Sequence, residues 1–214
     1  MFLDTWIMFV KIVTGGLMLS RLCKTFYVCL WCLVGSVALA QDMNKGLKAW
    51  TNEDYDTVFK ELTPLAEGGN PLAQYILGKS YLRAKSDQEK SFFWLRCSAI
   101  NGYEPAMYNV GLYLYTGNGT QKNWELSYIW LSAFSEFYPR ALTKHGIKMS
   151  DRDKRELSIA SAWTIKIREN LGPARIAQLN TIYERCSTLF VADGWVSCDF
   201  LRNTSSRSCF APSS

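Results

Sequence analysis

The sequence predicts an all-α fold, an αα-hairpin solenoid with closing helices at its C-terminal end. Three observations carry the prediction. Similar stretches recur at a spacing of 33 to 36 residues. Within each stretch, apolar and small residues fall at helical intervals. No window holds the sustained apolar/polar alternation that a strand requires. The composition is 48% hydrophobic with a formal net charge of +5, which allows a real core. The basic excess is mild and dispersed, so no nucleic-acid partner is expected.

Residues 1–40 are set aside as an expected signal peptide or N-terminal leader. Arg21 and Lys24 precede the apolar run "TFYVCLWCLVGSVALA", which ends in Ala38-Leu39-Ala40, the A-x-A pattern of a cleavage site. The run is shorter than the roughly 20 residues of a comfortable membrane span. Thr5–Ser20 is also apolar, so either Met18 is the true start or the segment stays as an inner-membrane anchor. The expectation is cleavage and export to the periplasm or beyond, with membrane contact only if the leader is retained. Without Lys11, Arg21, Lys24 and Asp4, the charge is 21 basic against 18 acidic residues, a net +3.

Residues 41–149 hold the repeated part, a half repeat and two full ones. Helices are expected over 42–50, 54–66, 71–83, 88–101, 105–115, 123–136 and 139–147. Ala73, Gly78 and Tyr81 recur as Ala106, Gly111 and Leu114, each 33 residues later. Trp94 recurs as Trp130 after 36, the three extra residues falling in the loop "TGNGTQKN". Ala66 and Gly69 anticipate Ala99 and Gly102, and Ala106 anticipates Ala141. Ala73, Leu77 and Tyr81 share one helical face, as do Ala106, Val110 and Leu114. Small residues there let helices approach closely, while Trp94 and Trp130 fill the space between pairs. Pro71 and Pro105 stand early in helices, where a missing N–H costs nothing. Gly102 follows a helix end, where left-handed geometry is cheap. "SDQE" from Ser86 reads as an N-cap signature, and Asn123 as the cap of the helix carrying Trp130.

Two closing helices are expected over 151–170 and 173–190, within a C-terminal region spanning 150–190. "SDRDKREL" starts the first with acids in its opening turn, and "NLGP" separates the two. The remainder, 191–214, is turn-rich and irregular.

The order A-x3-L/V-G-x2-Y/L, a loop, then W-x3-S/A-A/S-x2-G/Y-x2-P-A resembles the Sel-one-like repeat, a relative of the tetratricopeptide repeat. The resemblance covers about Asn44 to Met149, with Phe134-Ser135 in place of paired alanines and Tyr138 in place of a glycine. It implies a tetratricopeptide-like right-handed superhelix serving as an adaptor or scaffold in the bacterial envelope or at a host interface. It also implies that the first helix of each pair lines a concave face. The candidate binding residues on that face are Tyr75, Lys79 and Arg83, then Tyr108, Leu112 and Tyr115. Tyrosines interleaved with cations suit a protein or peptide partner.

Other chemistry finds less footing. Gly117 and Gly119 lack the spacing and the preceding strand of a phosphate-binding loop, so their loop reads as a turn between helices. His145 is the only histidine, and no cysteine or carboxylate cluster with ligand spacing joins it, so no metal or cofactor is expected. Its setting reads as a helix end, where imidazole favours the dipole. Of seven cysteines, Cys97, Cys186, Cys198 and Cys209 lie beyond the leader. One bridge is expected among Cys186, Cys198 and Cys209, and the resemblance implies a partly exposed Cys97, at a position where the family often has a long polar residue. The expectation is a non-catalytic interaction module. The alternative is an envelope enzyme or binding protein acting on β-lactam or peptidoglycan, which some secreted relatives imply. The cysteine pair of those relatives and an S-x-x-K motif are both missing here.

Overall fold

The computed structural model describes residues 43–193, with side chains through 187, and every regular element among them is helical. The tail cysteines Cys198 and Cys209, the leader and the irregular 194–214 lie outside the described residues. In chain order the elements are α1 (43–51), α2 (Tyr55–Glu67), α3 (Pro71–Lys85) and α4 (Gln88–Ile100). They continue with α5 (Glu104–Thr116), α6 (Trp124–Lys144), α7 (Asp151–Leu171) and α8 (Pro173–Asp193).

Local chemistry sets most of these boundaries. Asp54 accepts the Thr57 N–H at the start of α2, and Asn70 the Ala73 N–H at the start of α3, with Pro71 as first residue. Asn123 caps α6 through the Leu126 N–H at 2.9 Å. Ser150 and Asp153 form a reciprocal capping box on α7. Gly102 closes the α4–α5 turn at φ +89°, where a side chain would be strained. His145 is the exposed C-cap of α6.

Two expectations change. The N-cap of α4 is Asp87, which accepts the Lys90 N–H at 2.9 Å; Ser86 instead closes α3 in the left-handed region at φ 49°. The helices expected over 123–136 and 139–147 are one element. Pro139 lies inside α6, where only the bond its missing N–H would make is lost. The turns just before the proline are firmly packed. Phe134 and Phe137 are buried, and Tyr138 stacks on Phe134 at 4.9 Å while donating to Asp153 at 2.8 Å.

Each helix packs chiefly on its neighbours in sequence, and the fullest contacts join α3 to α4 and α5 to α6. Glycine makes those contacts close. A Cβ at Gly78 would stand 2.7 Å from Leu95 Cγ, and one at Gly111 would stand 2.6 Å from Leu131 Cγ. The same contact occurs a third time between α1 and α2, where a Cβ at Gly46 would stand 2.2 Å from Leu62 Cδ2. Leu62, Leu95 and Leu131 are fully buried. Trp130 is buried as expected, whereas Trp94 is only half-buried and packs edge-on against Phe93.

Polar groups inside the stack are matched. Buried Gln74 donates to Ala66 O at 2.9 Å and accepts from Asn101 at 2.9 Å, tying the α2–α3 turn to the end of α4. Ser127 donates to Gly111 O at 2.8 Å. A buried amide costs several kcal/mol when unmatched, so these bonds let polar residues stand at core positions. The last helix is held on α6 partly by polar links. Arg175 pairs with both Glu125 oxygens at 2.6 Å, Tyr128 donates to Asn180 at 2.8 Å, and Tyr183 donates to Glu136.

Cys97 was expected partly exposed but is fully buried in α4, and it is disulfide-bonded. Its burial follows from α4 lying between α3 and α5, which leaves every residue from Leu95 to Ile100 buried all round the helix. Cys186, in α8, is 3% exposed and also disulfide-bonded.

Candidate functional site

The odd-numbered helices α3, α5 and α7 bring a set of polar side chains together. On α3, Tyr75 and Lys79 lie one turn apart, with Arg83 one turn beyond. Lys79 Nζ reaches Asn109 Oδ1 of α5 at 3.3 Å, and Asn109 is itself anchored by donating to Pro105 O at 2.9 Å. The Tyr75 ring meets Tyr103 at 5.0 Å. From α7, Arg152 and Glu156 pair at 2.9 Å and lie close enough to act on Tyr75, Lys79 and Tyr108 through space.

The electrostatics follow from this placement. Burial pushes the Lys79 ammonium below its ordinary range, and the Arg83 and Arg152 charges push it further, opposed by Glu156. Burial raises the Tyr75 and Tyr108 phenols, and carries Tyr103 up to about 12. All three phenols are therefore neutral donors at neutral pH. Around Lys79 itself two further cations face one carboxylate, so that position carries a local positive excess and attracts anionic groups, while Asp153 acts on Arg152 and Glu104 on Tyr103 at the margins of the cluster.

The six residues proposed from sequence are not equivalent. Tyr75 and Lys79 are partly buried in the cluster, and Arg83 is exposed at its edge, with its guanidinium 4.7 Å above the Trp50 ring. Tyr108 was expected to face outward but is buried, with its ring 5.3 Å from Phe134. Leu112 packs half-buried on the core. Tyr115 lies between Trp124 at 6.2 Å and Trp163 at 3.9 Å, so α7 covers it. The physical reasons differ: Phe134 of α6 covers Tyr108, the core takes Leu112, and Trp163 of the closing helix packs on Tyr115. Asn109, Arg152 and Glu156 were not among the proposed residues. The Arg152/Glu156 spacing was visible as a helical ion pair, but nothing local says which helix it faces.

Cavities also lie among the described residues, away from the cluster. One of about 340 Å³ lies between α6 and α7, lined by Ser132, Ser135, Ser161, Thr164 and Arg168 among others. Three of its hydroxyls are turned onto helix carbonyls: Ser135 to Leu131, Ser161 to Leu157 and Thr164 to Ser161. The second lies beneath the α5–α6 loop. Among the described residues no group of three or more His, Cys, Asp or Glu side chains is placed to hold a metal ion. No described helix is long and apolar enough to cross a membrane. No family model, no curated protein and no solved structure matches this chain.

Proposed function

We propose that the chain is a non-catalytic interaction module, a solenoid of Sel-one-like helix pairs that takes a protein or peptide segment on the face shared by α3, α5 and α7. The convergence of Tyr75, Lys79, Asn109 and Arg152 from three helices carries this reading. Neutral phenols and a carboxamide offer directional hydrogen bonds, and the cationic excess selects an acidic segment. The recurrent glycine–leucine contacts support the repeat assignment, since each pair then presents its first helix in the same way. Disulfides at Cys97 and Cys186 support work in an oxidising compartment, in keeping with export and a place in the envelope.

The test is fluorescence anisotropy with labelled acidic peptides and lysine-rich peptides of equal length. The acidic set binds at least about tenfold tighter, and the preference shrinks as salt rises. Lys79→Ala combined with Arg152→Ala removes most of that preference while the circular-dichroism spectrum is unchanged. Equal binding of both peptide sets, or an unaffected double variant, refutes the reading. Nitrocefin turnover abolished by one substitution would put the envelope-enzyme alternative in its place.

A further inference from the structure

Helix α7 has a packed flank and an open one. Ala160 and Ile167 are fully buried, and Leu157 and Trp163 pack half-buried on the core. On the other flank Arg155, Ile159, Ala162, Ile165, Lys166 and Glu169 are all exposed. Their spacings of three, four and seven residues place them on one strip of an α-helix. Ile159 is 41% exposed and Ile165 56%, so the strip carries open apolar surface at its centre.

The strip is symmetrical about Ala162. Ile159 and Ile165 stand three residues to either side of it, and Arg155 and Glu169 seven residues to either side. Seven residues are about 10 Å of helix. Several α7 charges are satisfied locally: Lys154 pairs with Asp151 and Arg152 with Glu156, both at 2.9 Å, and Lys166 lies 5.7 Å from the Trp163 ring centre. Arg155 and Glu169 take no ion pair among the described residues. On one helix, nearly four turns apart, they cannot reach each other.

We infer that this strip is a homodimerisation surface, on which a second copy of the chain lays its own α7 antiparallel, across a two-fold axis at Ala162. An isologous interface needs a patch that complements itself under rotation, and the strip meets that need. Arg155 comes level with Glu169 of the partner subunit, and Glu169 with Arg155 of the partner subunit. Two ion pairs thus form from charges that have no partner within the chain. Ile159 comes level with Ile165 of the partner subunit, and the small Ala162 lets the helix axes approach to about 8–10 Å. A parallel arrangement would set like charges against each other at both ends. A single helix-on-helix contact is small for a protein interface, so the dimer is reversible, with micromolar dissociation.

Sedimentation velocity of the full chain over a concentration series tests this. The parent passes from monomer to dimer as concentration rises. Ala162→Glu and Ile159→Glu, both at exposed positions, weaken the dimer at least about tenfold with an unchanged helical spectrum. Arg155→Glu alone and Glu169→Arg alone each weaken it several-fold, because each sets like charges opposite one another at both ends. Mixed in equal amounts, these two variants associate as the parent does, since every pair in the mixed dimer is again of opposite sign. That recovery separates the antiparallel pairing from association through any other part of the chain, residues 1–40 included. A parent that stays monomeric at every concentration leaves the strip to a different partner and overturns the inference. A dimer untouched by Ala162→Glu, or a mixture that associates no better than its components, overturns it as well. Peptide selection through Lys79 is read separately by anisotropy, and none of these outcomes decides it.

Discussion

Gly78→Ala is a sensitive probe of how the helix pairs are held. Gly78 lies in the middle of α3, where alanine is normally favoured over glycine by about 1 kcal/mol through backbone entropy. Here the added methyl would stand 2.7 Å from Leu95 Cγ, 3.1 Å from Leu95 Cδ2 and 3.1 Å from the Leu95 backbone nitrogen. The side chain can shift only within a fully buried site, and the nitrogen only with α4 itself. Overpacking of this kind costs about 1–3 kcal/mol. Because both the side chain and the backbone are crowded, the upper part of that range applies. The net loss is about 1–2 kcal/mol, or roughly 3–6 °C in melting temperature for a domain of this size. Thermal unfolding followed at 222 nm measures it. A double-mutant cycle with Leu95→Ala isolates the contact. Leu95→Ala alone costs about 2–5 kcal/mol, and Gly78→Ala added to it should cost nothing or recover part of the loss. A Gly78→Ala protein as stable as the parent, or additive behaviour in the cycle, would refute the close α3–α4 contact.

Two further outcomes test other parts of the fold. Reduction with dithiothreitol should lower the unfolding midpoint by an amount equivalent to about 2–4 kcal/mol, and thiol titration should report new free cysteines only once the protein is reduced. Glu125→Gln should weaken the α8–α6 link by less than about 1 kcal/mol, because both partners are partly exposed. The Arg175 hydrogen bond holds the Glu125 carboxyl below its ordinary range. That contribution is present in full above the unfolded value and is lost as pH falls through the folded one. Urea midpoints of parent and variant should therefore differ at neutral pH and converge in acid, and a difference that grows in acid would contradict the pairing.

The helix pattern was legible because its signals are local. Asn70-Pro71, Asn123 and Ser150 mark starts by hydrogen bonds within one turn, and the 33-residue recurrence of Ala73 and Gly78 exposes the paired helices. Gly46 and Leu62 carried the same signal, 32 and 33 residues before Gly78 and Leu95, and make the first pair complete. Pro139 was less readable, since a proline removes one hydrogen bond without necessarily ending a helix, and the packing of Phe134 and Tyr138 in the turn before it is tertiary. The candidate face was legible for Tyr75 and Lys79 but not for Tyr108 or Tyr115. Whether a tyrosine is open depends on where Trp163 and Arg152 settle, some fifty residues along the chain in α7, and no periodicity encodes that. Burial of Cys97 is likewise a property of the packed α4 rather than of its neighbours in sequence.

The seat of Gly119 under the first turn of α4 has a consequence for how this chain can change. Surface connections ordinarily absorb insertions and deletions at little cost. The 117–123 segment is different, because Gly119 fits against Gln88 O where no side chain can follow. It acts as a spacer between two helix pairs, so its length sets their registry. Lengthening or shortening it would be felt in α4 as well as in α6. This is the connector least free to drift, and an affinity tag or a grafted epitope belongs elsewhere.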